Sequence, residues 1–86
     1  MPTISTFYGI IIRMYYEDHA PPHFHVRYAQ HEAIIDIQGG SILRGSLPRG
    51  AQALTLMWAA LHRDELLENW DLCATRQRPK RIAPMD

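Results

Sequence analysis

The sequence predicts an α+β fold in which a small, mainly antiparallel sheet of four or five strands is covered on one face by one or two C-terminal helices. The first half of the chain contains short segments rich in β-branched and aromatic residues that alternate with a period of two, which is typical of half-buried strands. The pair Gly39-Gly40 is a strong turn signal within that half. After Pro48, apolar residues recur at helical spacing.

Four segments have the composition of strands: residues 10–16, 23–28, 32–38 and 41–45. Residues 1–6 form a further short extended segment, interpreted as an edge strand. Successive strand side chains point to opposite faces of a sheet, so each segment has a core face and an open face. The residues expected on the core face are Ile10, Ile12, Phe24, Val26, Ile35 and Ile37.

The helical region begins near Ser46, because proline is favoured in the first turn of a helix and Pro48 follows at once. One apolar stripe is expected to pack on the sheet and contains Leu54, Met57, Trp58 and Leu61. A second set lies on roughly the opposite side and contains Leu66, Leu67, Trp70 and Cys73. We favour two helices separated near residues 62–64, since Asp64 can cap the second. The alternative is one long helix whose back stripe faces a partner.

Eighty-six residues suit one domain, predicted over 1–75, with a basic and mobile tail over 76–86 that contains two prolines. Nine basic and nine acidic residues balance, which excludes a strong overall field toward nucleic acid. The single cysteine, Cys73, excludes an internal disulfide and a cysteine zinc cluster. The absence of a signal-like start and of a long apolar run predicts a cytoplasmic protein with no membrane partner.

The residues most able to bind a ligand or catalyse a reaction are concentrated in the segment 18–28. This segment contains three of the five histidines and the only Pro-Pro pair. The prolines disfavour helix, so the chain turns or runs extended there. The alternation that follows places His23, His25 and Arg27 on one face of a strand.

Two imidazoles at i and i+2 on a strand can share a metal ion. The candidate ligands are Asp18, His19, His23 and His25, and zinc accepts nitrogen and oxygen ligands of this kind. The plainer explanation, which we favour, is that the histidines are solvated or hydrogen-bonded residues that brace the turn and bind no cofactor.

A phosphate or nucleic-acid site is the third interpretation of this face. Arg13 and Tyr15 share the face with His23, His25 and Arg27 if the two strands pair antiparallel. Arginine binds phosphate bidentately, and aromatic rings stack on bases. A metal-free ribonuclease would use His23, His25 and Arg27 as acid, base and cation. The acidic residues of the next strand, Glu32 and Asp36, would either pair with the arginines or supply a general base.

Residues 62–65, His-Arg-Asp-Glu, lie where the helical stripe breaks. Capping and helix-dipole effects explain this cluster, although His62 is a further binding candidate if it faces the same cleft as the histidine strand. Trp58 and Trp70 are interpreted as core or interface anchors.

The segments Asp18-His19-x-Pro21-Pro22-His23-Phe24-His25, Gly45-Ser46-Leu47-Pro48 and Trp58-Ala59-x-Leu61-His62-x-Asp64-Glu65-Leu66 resemble the bacterial domain-of-unknown-function 4160 family. Members of that family are often encoded beside a second small protein, of the domain-of-unknown-function 2442 type. The resemblance implies a toxin–antitoxin-like or regulatory pair, and it carries no catalytic assignment.

Three functional hypotheses follow. The first, which we favour from sequence, is one member of a two-protein module that binds a small partner protein and RNA or DNA, with Leu66, Leu67 and Trp70 as the partner surface. The second is a small hydrolase, either metal-dependent or a metal-free ribonuclease. The third is a structural or regulatory domain without a catalytic site. A homodimer is compatible with each of them, because so small a core gains from a second copy.

Overall fold

The computed structural model describes residues 2–86, in which five strands precede two helices. These are β1 Thr3–Phe7, β2 Ile10–Arg13, β3 His23–Tyr28, β4 His31–Asp36, β5 Ile42–Gly45, α1 Arg49–Leu61 and α2 Arg63–Ala74. Each strand pairs antiparallel with the next, in the order β1-β2-β3-β4-β5. The predicted α+β class is therefore confirmed, as is the division into two helices near residues 62–64. The expected cap is wrong, because His62 precedes α2 and Asp64 lies within its first turn. Met1, the first residue of the expected edge strand, lies outside the described residues.

Alternation along the strands produces a buried face and an open face. Each of the six residues expected on the core face is at most 3% exposed. Met14 and Ile4 extend this layer, and both are fully buried. Neither helix of the described chain is long and apolar enough to cross a membrane.

The buried face of α1 differs from the predicted stripe. Trp58 is fully buried, but Met57 is 60% exposed and Leu61 is 74% exposed. The helix instead buries small residues beside the tryptophan: Ala51, Thr55 and Ala59. The Thr55 hydroxyl is satisfied within the helix, since it donates to the Ala51 carbonyl at 2.7 Å. The expectation that Met57 and Leu61 pack on the sheet is therefore wrong.

The second apolar set belongs to the core of the single chain. Leu66 is fully buried, Cys73 is 1% exposed, and the half-buried Leu67 and Trp70 pack against the same core. Burial also raises the pKa of the Cys73 thiol, as expected for a cysteine that only packs. The idea that Leu66, Leu67 and Trp70 form an exposed partner surface is therefore wrong, and so is the single-helix alternative.

Residues 76–86 contain no helix or strand, but the segment expected to be a mobile tail is docked on the domain. Ile82 is 4% exposed, and its N–H donates to the Ile4 carbonyl at 2.9 Å. The buried Asn69 side chain bonds both the N–H and the carbonyl of Lys80, at 2.8 and 2.9 Å. A lone isoleucine among polar residues and prolines gives no periodic signal, so sequence patterns do not reveal this docking.

Among the glycines of the sheet, Gly45 is expected to be the one that least tolerates a side chain. Its φ is +78°, and a Cβ there would lie 2.1 Å from the Glu32 carbonyl oxygen. We expect Gly45→Ala to lower the free energy of unfolding by about 2–3 kcal/mol, because it adds a backbone clash to the cost of a left-handed residue. Gly40→Ala is the matched control, since Gly40 has φ +74° with open space around it. Urea unfolding of both variants tests this, and equal losses would show that the clash is absorbed.

Candidate functional site

The loop between β2 and β3 carries Asp18 and is fixed against the end of α2. The Glu17 N–H donates to the Cys73 carbonyl at 3.2 Å, and Glu17 itself adopts a left-handed φ of 53°. The following Ala20–Pro21 bond is cis. The loop thereby brings the Asp18 carboxylate back over the first residues of β3.

Three side chains converge at this point, and we call them the Asp–His–His cluster: Asp18, His23 and His25. The Nε2 atoms of the two histidines lie 2.9 and 3.0 Å from the same carboxylate oxygen, Oδ2 of Asp18. One potential ligand atom from each residue lies within 4.8 Å of the other two. Two ligands of a tetrahedral zinc stand about 3.3 Å apart, close to the 2.9 and 3.0 Å that separate the two Nε2 atoms from Asp18 Oδ2.

The ring of His23 is held in one tautomer. Its Nδ1 lies 2.8 Å from the Pro21 carbonyl oxygen, and because a carbonyl only accepts, Nδ1 must carry the hydrogen. In the neutral ring, Nε2 then presents a lone pair to the Asp18 carboxylate. Either a second proton on the ring or a cation between the two atoms makes this contact favourable. A backbone carbonyl that accepts the far N–H is also the usual support of a metal-binding histidine.

Asp18 is an ionised acceptor in this cluster. Burial by itself would raise the pKa of the carboxyl, but hydrogen bonds from His25 and from the backbone N–H of His19, together with the adjacent His23 ring, outweigh it. The pKa of Asp18 therefore lies below its ordinary value. A carboxylate flanked by two imidazole nitrogens has the donor set of a divalent transition-metal site.

Aromatic rings support the cluster on two sides. The Trp70 ring, from α2, lies 5.0 Å from the ring of His23, and Tyr15 stacks on His25 at 4.1 Å. The side chains remain partly open to solvent: His23 is 9% exposed, Asp18 19% and His25 21%. A ligand can therefore reach the cluster from the open face of the sheet.

Two of the sequence candidates lie away from the cluster. The His19 side chain is exposed, and this residue contributes only its backbone N–H, at 2.8 Å from Asp18 Oδ1. His62 lies at the junction of the helices, where it bonds Glu65 and packs 5.3 Å from Trp58. The structure therefore does not bring His62 into the same site.

The open face of the sheet forms a groove of about 300 Å³ beside the cluster. Strand register aligns Arg13, His25, Ile34 and Arg44 in one row across β2 to β5. A second row contains Ile11, Arg27 and Glu32. Together with Tyr15, these residues line what we call the arginine groove.

The acidic residues of β4 have structural partners. Glu32 accepts from Arg27 at 3.3 Å, in a pair that is largely exposed. The Asp36 carboxylate accepts from the Gly39 N–H at 2.9 Å and so stabilises the β4–β5 turn. Arg27, a catalytic candidate from sequence, is therefore occupied by Glu32 while His23 and His25 bond Asp18.

Sequence patterns missed two residues of the site, Arg44 and Trp70. Arg44 reaches the open face because a register shift between Ile34 and Ile35 leaves Leu43 without a partner, which reverses the simple alternation of β5. The sequence predicts Trp70 as a core or interface anchor, and its contact with His23 depends on how α2 docks. No signal in the sequence specifies either feature.

Comparison with known proteins identifies a family for this chain and nothing finer. A search of the curated proteins finds no match, and neither does a search of the solved structures. The family model described as "Domain of unknown function (DUF4160)" matches residues 9–71, which include every strand residue of the cluster and both helices up to Asp71. The chain therefore belongs to the DUF4160 family.

Proposed function

We propose that this protein is a metal-dependent hydrolase in which Asp18, His23 and His25 bind one divalent ion of the zinc type. The observation that carries the proposal is the approach of two Nε2 atoms to one oxygen of Asp18, with the His23 tautomer fixed by Pro21. Three protein ligands with the remaining position open to solvent is the usual arrangement of a catalytic zinc.

Each residue of the cluster has a distinct part in this proposal. The Pro21 carbonyl keeps the Nδ1 hydrogen of His23, so Nε2 is free as a ligand. Asp18 supplies the negative charge that offsets part of the charge of the ion, and Tyr15 and Trp70 fix the orientation of the two rings. When bound, an ion of this kind lowers the pKa of a water molecule to about 7 and so provides a nucleophile.

Metal titration of chelator-treated protein tests the site. We expect wild type to bind one equivalent of Zn²⁺ by isothermal titration calorimetry, and Asp18→Asn and His25→Ala to bind at least about 100-fold more weakly. His19→Ala is the matched control, because it removes a histidine of the same loop whose side chain lies outside the cluster.

The outcomes separate the site from the chemistry. Equal binding by His19→Ala and wild type, with loss in the other two variants, supports the ligand set. No binding by wild type, or equal loss in all variants, would contradict it. Hydrolysis of bis-p-nitrophenyl phosphate by the zinc-loaded wild type, absent from His25→Ala, supports the reaction. If the zinc-loaded protein does not hydrolyse this ester, the protein binds metal but the proposed hydrolase activity is wrong.

A further inference from the structure

The arginine groove concentrates positive charge in a protein whose total charge is balanced. Nine basic and nine acidic residues cancel overall, yet three guanidinium groups and a single carboxylate line the groove. Arg27 pairs with Glu32 at 3.3 Å, and because that pair is exposed it is weak and easily exchanged. Over residues 2–86, neither Arg13 nor Arg44 has an acidic partner. Two arginines are thus free to bind an anion.

The spacing of these cations indicates the size of the anion. Arg13 and Arg44 lie in one row, on β2 and β5, which are separated by three strand spacings or about 14 Å. A row of this length matches the spacing of successive phosphates in a polymer better than the size of one phosphate group. The apolar side chain of Ile34 lies between Arg13 and Arg44 in this row, and Ile11 lines the groove beside Arg27, so both offer apolar surface to sugars or bases.

The groove also adjoins the Asp–His–His cluster. His25 belongs to both, and its register partner on β2 is Arg13. Partners in an antiparallel pair have Cα atoms about 4.5–5.5 Å apart, so Arg13 stands beside the histidine that the groove shares with the cluster. An anionic substrate and the proposed metal therefore occupy neighbouring positions.

We propose that the arginine groove binds single-stranded nucleic acid through its phosphate backbone. The inference that this polymer is the substrate rests on the proposed function, while the binding itself requires no metal. In the reaction, the oxygen of a water molecule forms a bond to phosphorus, the bond from phosphorus to one sugar oxygen breaks, and a proton of the water passes to that sugar oxygen. The products are a phosphomonoester and an alcohol, and water is the only co-reactant.

Fluorescence anisotropy with a labelled eight-nucleotide oligouridine, in EDTA and at low salt, tests the binding. We expect Arg13→Ala and Arg44→Ala each to weaken binding by about tenfold and to reduce the dependence of log Kd on log salt by about 1. Arg63→Ala is the matched control, because it removes the same charge from an exposed position of α2. Arg44→Lys keeps the charge and guards against a folding defect, and we expect an intermediate affinity from it.

Several results would contradict the binding of nucleic acid in the arginine groove. Equal losses in Arg63→Ala and Arg44→Ala would show only nonspecific attraction. Equal affinity for a duplex of the same length would contradict a preference for single strands. If the wild-type protein does not bind the oligomer at low salt, the proposal that the groove binds nucleic acid is wrong. Oligothymidine in parallel decides between the two sources of the polymer: tighter binding of the uridine oligomer assigns RNA, and tighter binding of the thymidine oligomer assigns DNA.

The same variants separate this inference from the proposed function. If Asp18→Asn binds the oligomer as wild type does, yet wild type takes up no zinc, then the groove stands and the metal centre fails. If zinc binds but the oligomer does not, then the centre stands and its substrate is of another class. If the protein binds both zinc and the oligomer, zinc-loaded wild type should cleave the oligomer. Arg44→Ala should retain one zinc and, at low oligomer concentration, cleave about tenfold more slowly.

Discussion

Replacing Trp58 with alanine is expected to remove most of the stability of the domain. Trp58 is fully buried, its ring lies 5.2 Å from that of Phe7 and 6.2 Å from that of Phe24, and its Nε1–H donates to the Ala83 carbonyl at 2.8 Å. Tryptophan-to-alanine changes in a core cost about 3–5 kcal/mol. A domain of 86 residues has a free energy of unfolding of only about 4–13 kcal/mol.

Urea unfolding followed by circular dichroism measures this effect, with two controls. Met57→Ala changes the neighbouring residue, which is 60% exposed, and should stay within about 0.5 kcal/mol of wild type. Trp58→Phe keeps an aromatic ring but loses the hydrogen bond to Ala83, so its cost should fall between the other two. A Trp58→Ala midpoint that matches wild type would contradict the position of this side chain at the centre of the core.

Zinc is expected to stabilise the wild-type protein strongly, and this is the second large effect. A ligand that binds only the folded state adds about 2.7 kcal/mol at a concentration of 100 Kd. In a domain of this size each kcal/mol moves Tm by about 4–8 °C, so the expected rise is about 10–20 °C. The reason is structural, because Asp18 comes from a loop and the histidines from a strand, and only the folded chain brings them together.

Differential scanning calorimetry at several zinc concentrations tests this linkage. His19→Ala should show the full rise in Tm, and Asp18→Asn should show almost none. An equal rise in Asp18→Asn and wild type would place the bound zinc elsewhere on the chain. Because metal ligands must lose their protons to bind, the rise should also shrink as the pH is lowered.

The strands of this protein were predictable because their pattern is simple. His23, Phe24, His25 and Val26 alternate between a polar and an apolar face, and the structure keeps that alternation across β2, β3 and β4. The same pattern correctly placed His23 and His25 on one face. Asp18 was also a candidate ligand from sequence, together with His19, but the strand pattern could not say which of the two side chains reaches the histidines. The path of an irregular loop depends on contacts such as the bond from Glu17 to Cys73, far away in sequence.

Helix α1 was predicted in extent more successfully than in orientation. Hydrophobicity ranks Leu54, Met57 and Leu61 above Ala51, Thr55 and Ala59, so the pattern selected the larger side chains. Close packing on a sheet favours the smaller ones, because they allow the helix and the sheet to approach each other. Of the predicted stripe, Trp58 is fully buried and Leu54 packs partly buried against the core, whereas Met57 and Leu61 are exposed. Size complementarity between two elements is a property of the pair, and a single segment does not contain it.

The contact between Ile82 and Ile4 has a consequence for the behaviour of this protein at high concentration. β1 is an outer strand of the sheet, and an outer strand exposes unpaired backbone groups that can recruit a strand from another molecule. The Ile82 N–H occupies the Ile4 carbonyl on that strand. Pro79 and Pro84 flank the docked segment and have no N–H to offer, so it cannot itself extend the sheet. The segment thus hinders the recruitment of a further strand at the β1 edge, whereas β5 forms the other edge of the sheet.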